Sequence, residues 1–406
     1  MREERATEAP ARGSAGEVFL AFLRLGLTSF GGPVAHIGYF REEFVRRRRW
    51  LDDAAYAEVV ALCQFMPGPA SSQVGMGIGL LRAGHAGSLA AWTGFTLPSA
   101  IVMLLFALGI QGLEDASSSG WLRGLKTMAV AVVAHAVLGM ARSFSRGLWQ
   151  AIVTLVAAAI VLALPGFGGQ LSAIALGAVV GIVCAREQDS PAPGSMAAPV
   201  GRGAATAALM VFALLFLGLP LAAALTDAIG LRIFDAFYRT GSLVFGGGHV
   251  VLPLLKSVTV EPGWVTEDQF LAGYSAAQAV PGPLFTFAAY LGAAQTAWQA
   301  PYLAAAVALA GIFLPSFLLV TGLLPFWQRL RDRPRVASSM VGVNAAVVGL
   351  LLGAFYDPVL TAGIGAPSDG VLAVIGFLLL TALRWPAWAV VLVGAAGGFG
   401  LEALAG

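Results

Sequence analysis

Gln64-Phe65-Met66-Pro67-Gly68-Pro69 reads as a helix end followed by a break, and Gln278-Ala279-Val280-Pro281-Gly282-Pro283 repeats it later in the chain. Proline removes a backbone donor and clashes with the preceding turn, and glycine frees the backbone, so each stretch interrupts a helix. The repetition extends outward from these breaks. Phe22, Arg24, Gly26, Phe30, Gly31 and Gly32 return 215 positions later as Phe237, Arg239, Gly241, Phe245, Gly246 and Gly247. Trp50, Gln64, Pro67, Gly68 and Pro69 return 214 positions later as Trp264, Gln278, Pro281, Gly282 and Pro283, and Leu97-Pro98-Ser99 returns as Leu314-Pro315-Ser316. The chain is two copies of one plan.

The surroundings of these breaks are apolar. Of 406 residues, 58% are hydrophobic and 11% charged, and the mean hydropathy is +0.81. Such values lie far outside the soluble globular range and indicate an all-α polytopic membrane protein. Runs such as Ala151–Leu164, Ala204–Leu225 and Leu303–Leu324 are long and nearly uncharged. Lipid cannot satisfy backbone groups freed by a broken helix, so the breaks must face protein or a water-filled cavity. The net charge of +2 with arginines in loops points to no nucleic-acid partner. Cys63 and Cys184 have no paired spacing, so neither disulfide nor zinc is indicated.

Taken in order, residues 1–16 form a polar tail without a signal-peptide core, expected on the cytoplasmic side. The first repeat spans 17–185. Its helix at about 17–30 ends at Phe30-Gly31-Gly32-Pro33, and Glu17 to Val45 reads as a hairpin or re-entrant pair. Arg46-Arg47-Arg48-Arg49 marks a cytoplasmic loop. Asp52-Asp53 opens a helix to Gln64, a small-residue helix runs to Arg82, and spans follow at roughly 86–111, 121–143, 148–165 and 170–185. Residues 186–203, rich in proline and glycine, form a flexible linker. The segment 204–226 is an extra connecting transmembrane helix. The second repeat, 227–406, contains a broken pair at 232–256, a helix at 266–280, a small-residue helix to about 299, and spans near 301–326, 338–357, 370–383 and 386–402.

Loop charge orients the copies. The arginine loop 46–49 corresponds to Ser257–Gly263, which has no arginine, whereas Gly112–Gly120, with Glu114 and Asp115, corresponds to Gln328–Arg335, with four arginines. Basic loops swap places, so the two homologous halves form an inverted repeat, with 204–226 supplying the odd crossing. Inverted repeats with broken helices are the mark of secondary transporters.

A helix restarting inside the membrane offers N–H groups and the positive end of its dipole to an anion. The candidate substrate residues are Gly31, Gly32, Gly246 and Gly247 at one pair of breaks, and Pro67, Gly68, Pro281 and Gly282 at the other. Gln64 and Gln278 precede the proline breaks, and Ser71, Ser72, Gln73 and Thr286 follow them. Arg24 and Arg239 are matched cations inside apolar helices, suited to a tetrahedral oxyanion and equally to snorkelling. His36 and His249 follow glycine breaks at non-equivalent places and suit a structural hydrogen bond or a proton role. Glu58, an acid in an apolar helix, suits proton relay or a cavity wall. His135 and Asn344, on matched spans, read as interhelical hydrogen-bonding residues. Gly75-Met76-Gly77-Ile78-Gly79 reads as a packing face, since no phosphate-binding Lys-Ser/Thr follows. No HExxH, paired-carboxylate or CxxC motif is present, so the chain is read as a non-enzyme without cofactor or metal.

The order Phe-Gly-Gly-Pro, Trp-led acidic helix, Gln-x-x-Pro-Gly-Pro, duplicated in one chain, resembles the chromate ion transporter (CHR) family in its long two-domain form, over about residues 17–402. Met66 against Val280 and Pro33 against Gly248 are the departures between copies. The resemblance implies a secondary transporter in the bacterial inner membrane that exports chromate, a sulfate-like dianion, driven by membrane potential or a proton gradient. It leaves open sulfate or another tetrahedral oxyanion as substrate, and a monomer or homodimer as the working unit.

Overall fold

A computed structural model describes residues 13–111, 120–184, 200–245, 250–331 and 333–405, and every regular element among them is helical. The tail, the acidic pair Glu114 and Asp115, most of the 186–203 linker, and Gly246, Gly247 and His249 lie outside the described residues.

In the first repeat α1 (Ala15–Thr28) starts behind Ser14, whose hydroxyl accepts from the Glu17 N–H, and stops at Ser29. Gly31 and Gly32, at φ 102° and 75°, turn the chain into α2 (Gly32–Phe40), a conformation that glycine adopts without strain. A π-helical turn, Arg41–Arg47, follows. Next, α3 (Asp53–Phe65) is capped by Asp52 Oδ1, which accepts from the Ala55 N–H. Past the break, α4 (Ala70–Gln111) loses helical backbone at Ala83–Gly84, where a Cβ on either Gly79 or Gly87 would strike the other's carbonyl. In a straight helix those glycines would stand about 12 Å apart. The contact therefore makes the first part of α4 one arm of a hairpin.

Two hairpins result, α1–α2 and α3 with the start of α4, and their open ends share one face. Arg82 pairs with Glu17 at 3.2 Å and lies over the Trp50 ring at 5.1 Å, while Arg41 pairs with Asp53 at 2.7 Å. This is the face of the arginine loop. The rest of α4 then crosses, followed by α5 (Gly120–Phe144), α6 (Leu148–Ala163) and α7 (Phe167–Cys184).

Between the repeats lies α8 (Arg202–Leu225), apolar and almost wholly on the outside. The second repeat forms hairpins from α9 (Ile229–Leu243) with α10 (Val251–Thr259), and from α11 (Glu267–Ala279) with α12 (Phe287–Ala294). The capping box Thr266/Gln269 opens α11, and a 3-10 turn, Leu284–Thr286, precedes α12. The helix expected to reach about residue 299 stops at Ala294, because the Gln295 amide both donates to and accepts from the Trp298 backbone and closes a turn there. Open ends meet again: Lys256 faces Glu267 at 3.5 Å and Asp357 at 3.1 Å, and the Thr296 N–H donates to the Trp264 carbonyl. The chain continues through α13 (Pro301–Leu323), α14 (Trp327–Arg331), α15 (Pro334–Ala354), α16 (Thr361–Gly363), α17 (Pro367–Thr381) and α18 (Ala387–Ala405).

The long arm of α4 shows that the hairpins open on opposite faces. It leaves the arginine-loop face beside Arg82 and ends with the Phe106 ring 5.8 Å from that of Tyr290, whose hydroxyl donates to the Gln269 carbonyl in the first turn of α11. From His85 to Phe106 is about 31 Å of helix, one hydrocarbon thickness. The repeats are inverted, as the swapped loop charges require.

Small residues let the backbones approach. Gly26 packs on the Phe95 carbonyl and its mate Gly241 on that of Ile312. Later helices exchange partners: α15 packs against α6 and α7 of the first repeat, and α5 against α17 and α18 of the second. Contacts that recur reciprocally in this way mark a two-fold relation between the halves.

Candidate functional site

The two breaks cross at the centre. The Gly68 N–H donates to the Val244 carbonyl at 2.6 Å, and the Gly282 N–H donates to the Ser29 carbonyl at 2.9 Å. Gly68 and Gly282 are repeat mates, as are Ser29 and Val244. Both glycines have left-handed φ, 124° and 99°. A Cβ at Gly68 would come within 2.8 Å of Ser316 Oγ, and one at Gly282 within 2.8 Å of Ser99 Oγ. Ser29 and Val244 end α1 and α9, where carbonyls lose helical donors and lipid offers none. The amides of the two glycines are thus committed to the opposite repeat and are not left open for a ligand.

Around the first break lies a buried polar cluster. His36 Nε2 is 3.2 Å from the Ser29 carbonyl, which can only accept, so Nε2 carries the proton and Nδ1 accepts from Ser71 Oγ at 3.3 Å. Gln73 Nε2 donates to the Pro67 carbonyl at 2.6 Å and lies 3.4 Å from Ser316 Oγ. Ser29 Oγ, Ser72 Oγ and Gln73 Oε1 are buried without a hydrogen-bond partner among the described residues. Each such atom costs about 1–3 kcal/mol until water or a ligand meets it.

At the second break a cavity of about 260 Å³ opens between the repeats. One water needs only about 10–15 Å³ of such space. Gly31, Gly32, Gln278 and Gly282 line it, with His135 of α5 and Trp385, Pro386 and Ala387 at the start of α18. Three helical segments begin on its wall: α2 at Gly32, the turn into α12 at Leu284, and α18 at Ala387. Their N-terminal ends are positive, and no carboxylate lines the cavity among the described residues. The carbonyl ends of α11, at Ala277 and Gln278, and of α17, at Leu380, share this wall, so an anion could be met only at the helix starts and the Gln278 side chain.

Of the sequence-selected residues, Gly31, Gly32, Gln278 and Gly282 meet in this cavity, beside Pro281, while Pro67, Gly68, Ser71 and Ser72 belong to the cluster around His36. Thr286 is buried and its hydroxyl donates back to the Pro283 carbonyl. Gln64 is exposed on α3. Neither arginine lines the cavity: Arg24 is exposed on α1, and Arg239 pairs with Asp235 at 2.6 Å. The difference follows from the residue one turn earlier, Leu20 in one copy and Asp235 in the other. Glu58 is buried and accepts from Trp327 Nε1 at 2.7 Å, joining the two repeats. Sequence reading passed over His135 and Trp385 as cavity residues and Ser99 and Ser316 as supports of the breaks. The matched Leu-Pro-Ser triplets signalled the two serines, and the matched spans of His135 and Asn344 signalled His135 in another role.

A family model, described as chromate transporter, matches residues 16–182 and 231–399. The chain belongs to the chromate transporter family. A chromate transport protein of Pseudomonas aeruginosa is 30% identical over 369 residues, covering 86% of this chain and 83% of its own length. One from Cupriavidus metallidurans is 27% identical over 349 residues, 83% and 81% of the two chains. A probable chromate transport protein of Synechococcus elongatus is 27% identical over 343 residues, 82% and 81%. No solved structure matches. Membership makes this chain a multi-pass bacterial membrane transporter and not an enzyme.

Proposed function

We propose that this chain exports chromate across the bacterial inner membrane by alternating access, with the cavity between Gly31–Gly32 and Gln278–Gly282 as the substrate site. The observation that carries the reading is a cavity between the repeats that has the starts of α2 and α18 and the Gln278 side chain on its wall and, among the described residues, no carboxylate. Helix N-termini and the Gln278 amide would bind the dianion oxygens, and His135 would add a donor. The two halves rock about the crossed glycines, Gly68 and Gly282, and the cluster of Ser71, Ser72 and Gln73 takes the anion's place in the symmetric half-cycle. Arg24 contributes positive potential on the approach, and Arg239 is held for the structure by Asp235.

On this reading the face of the arginine loop 46–49 is the cytoplasmic one. An inside-negative potential then favours export of a dianion by about 2.3 kcal/mol per charge per 100 mV. Sulfate has the same shape and charge and is the natural competitor. The test is uptake of labelled chromate and sulfate into inverted vesicles with and without an imposed potential. Chromate accumulation that follows the potential and that sulfate inhibits is the expected result. Uptake no greater than in protein-free vesicles would sink the assignment, and sulfate uptake that chromate fails to inhibit would reassign the substrate.

A further inference from the structure

The connection between α17 and α18 stops well short of the Phe144 end of α5. Gly394 packs on Gly124 and Gly398 on Gly120, so α18 runs antiparallel to α5 and its start, Ala387, falls beside residue 131. The shared cavity wall of Val132, His135, Trp385 and Ala387 agrees with this level. From His135, α5 continues for nine residues to Phe144, about 13 Å further toward the arginine-loop face. Its other end lies on the opposite face, where Lys126 pairs with Asp268 at 2.9 Å. The corresponding turn of the first repeat, between α6 and α7, is not recessed: Gly166 sits against Glu261 at that opposite face.

A turn of irregular backbone at this depth is tolerated only where it lines protein or water, and Ala382 to Pro386 are all exposed. The turn also carries Arg384. On α5 an exposed stripe, His135, Gly139 and Arg142, runs at helical spacing from the cavity toward the arginine-loop face. Among the described residues neither Arg142 nor Arg384 has a carboxylate partner. An unpaired guanidinium at the recessed level of Arg384 is stable only in water, and Arg142, in the last turn of α5, stands nearer the arginine-loop end of the same stripe.

We infer that the α17–α18 turn roofs an aqueous vestibule open to the arginine-loop face, in which Arg384 and Arg142 capture the oxyanion before it enters the cavity. This rests on the transport reading above for the identity of the anion, but not for the existence of the vestibule. A low-dielectric funnel lined by one sign of charge concentrates counter-ions and speeds their arrival. Capture therefore acts on how often the cavity fills.

The experiment has two arms. In a chain carrying Cys63→Ala and Cys184→Ser, Arg384→Cys is treated in membranes of known sidedness with a membrane-impermeant thiol reagent. Labelling from the arginine-loop face only, slowed by sulfate, is expected; sulfate is the probe because chromate oxidises thiols. Failure to label from that face, or labelling by membrane-permeant reagents alone, would overturn the vestibule whatever the chain transports. In the second arm, Arg384→Gln and Arg142→Gln are assayed for chromate uptake into inverted vesicles. Each should raise KM by roughly three- to tenfold at low ionic strength, with the gap closing in high salt. An unchanged KM in both would overturn the capture role. Absence of uptake by the native chain, with labelling as expected, would instead count against the transport reading.

Discussion

The Gly68 N–H reaches across the molecule to the Val244 carbonyl at 2.6 Å, and Gly282 repeats the contact on Ser29. Each repeat thus completes the broken helix of the other, and the centre cannot be assembled from one half alone.

Alanine at either glycine forces left-handed backbone, costing about 1–2 kcal/mol, and drives a methyl group against Ser316 or Ser99. Gly68→Ala and Gly282→Ala should each lower the melting temperature of the purified protein and abolish uptake. Two variants with native melting and native uptake would show that the crossing is incidental.

His36 joins Ser71 of the first break to the Ser29 carbonyl that also receives Gly282. His36→Ala leaves Ser71 and that carbonyl short of a partner and should cost about 1–3 kcal/mol. Denaturant unfolding in detergent reads this directly. His36→Gln, which keeps a donor and an acceptor, should recover part of the loss, and equal losses would point to packing alone.

Glu58 accepts from the Trp327 indole across the repeats. Trp327→Phe leaves that contact unmade and is expected to destabilise by about 1–3 kcal/mol. Glu58→Gln still offers an acceptor, so potential-driven uptake should persist. Loss of uptake specifically when a proton gradient is the only driving force would instead assign Glu58 a proton role.

Asp235 has one carboxylate oxygen on Arg239 and the other buried without a partner among the described residues. Asp235→Leu, which copies its mate Leu20, removes the carboxylate that pairs with Arg239 and should reduce the yield of folded protein. Adding Arg239→Leu should restore yield, measured by fluorescence-detected size exclusion. If the double variant folds but no longer transports, Arg239 serves the substrate as well as Asp235.

The duplication, the breaks and the inversion were legible because they are written in residues with few alternatives. A membrane helix tolerates Pro-Gly-Pro only at a designed interruption, and the arginines of 46–49 have one preferred side. Partner exchange between α5 and α15 was not legible, since an apolar face carries no record of which helix covers it. For the same reason His135 read as an interhelical hydrogen bond, while its exposure depends on where the α17–α18 turn stops. Arg24 and Arg239 looked equivalent by register, and one substitution, Leu20 against Asp235, separates their surroundings.

Equilibrium binding of labelled sulfate to the purified protein, competed by chromate, tests the cavity most directly, with Gln278→Ala beside the native chain. The expected result is saturable, chromate-sensitive binding that the variant weakens by about tenfold or more, the effect of losing one hydrogen bond to a charged group. Binding of equal affinity in both, or no saturable binding to the native chain, would contradict a substrate site between the crossed breaks.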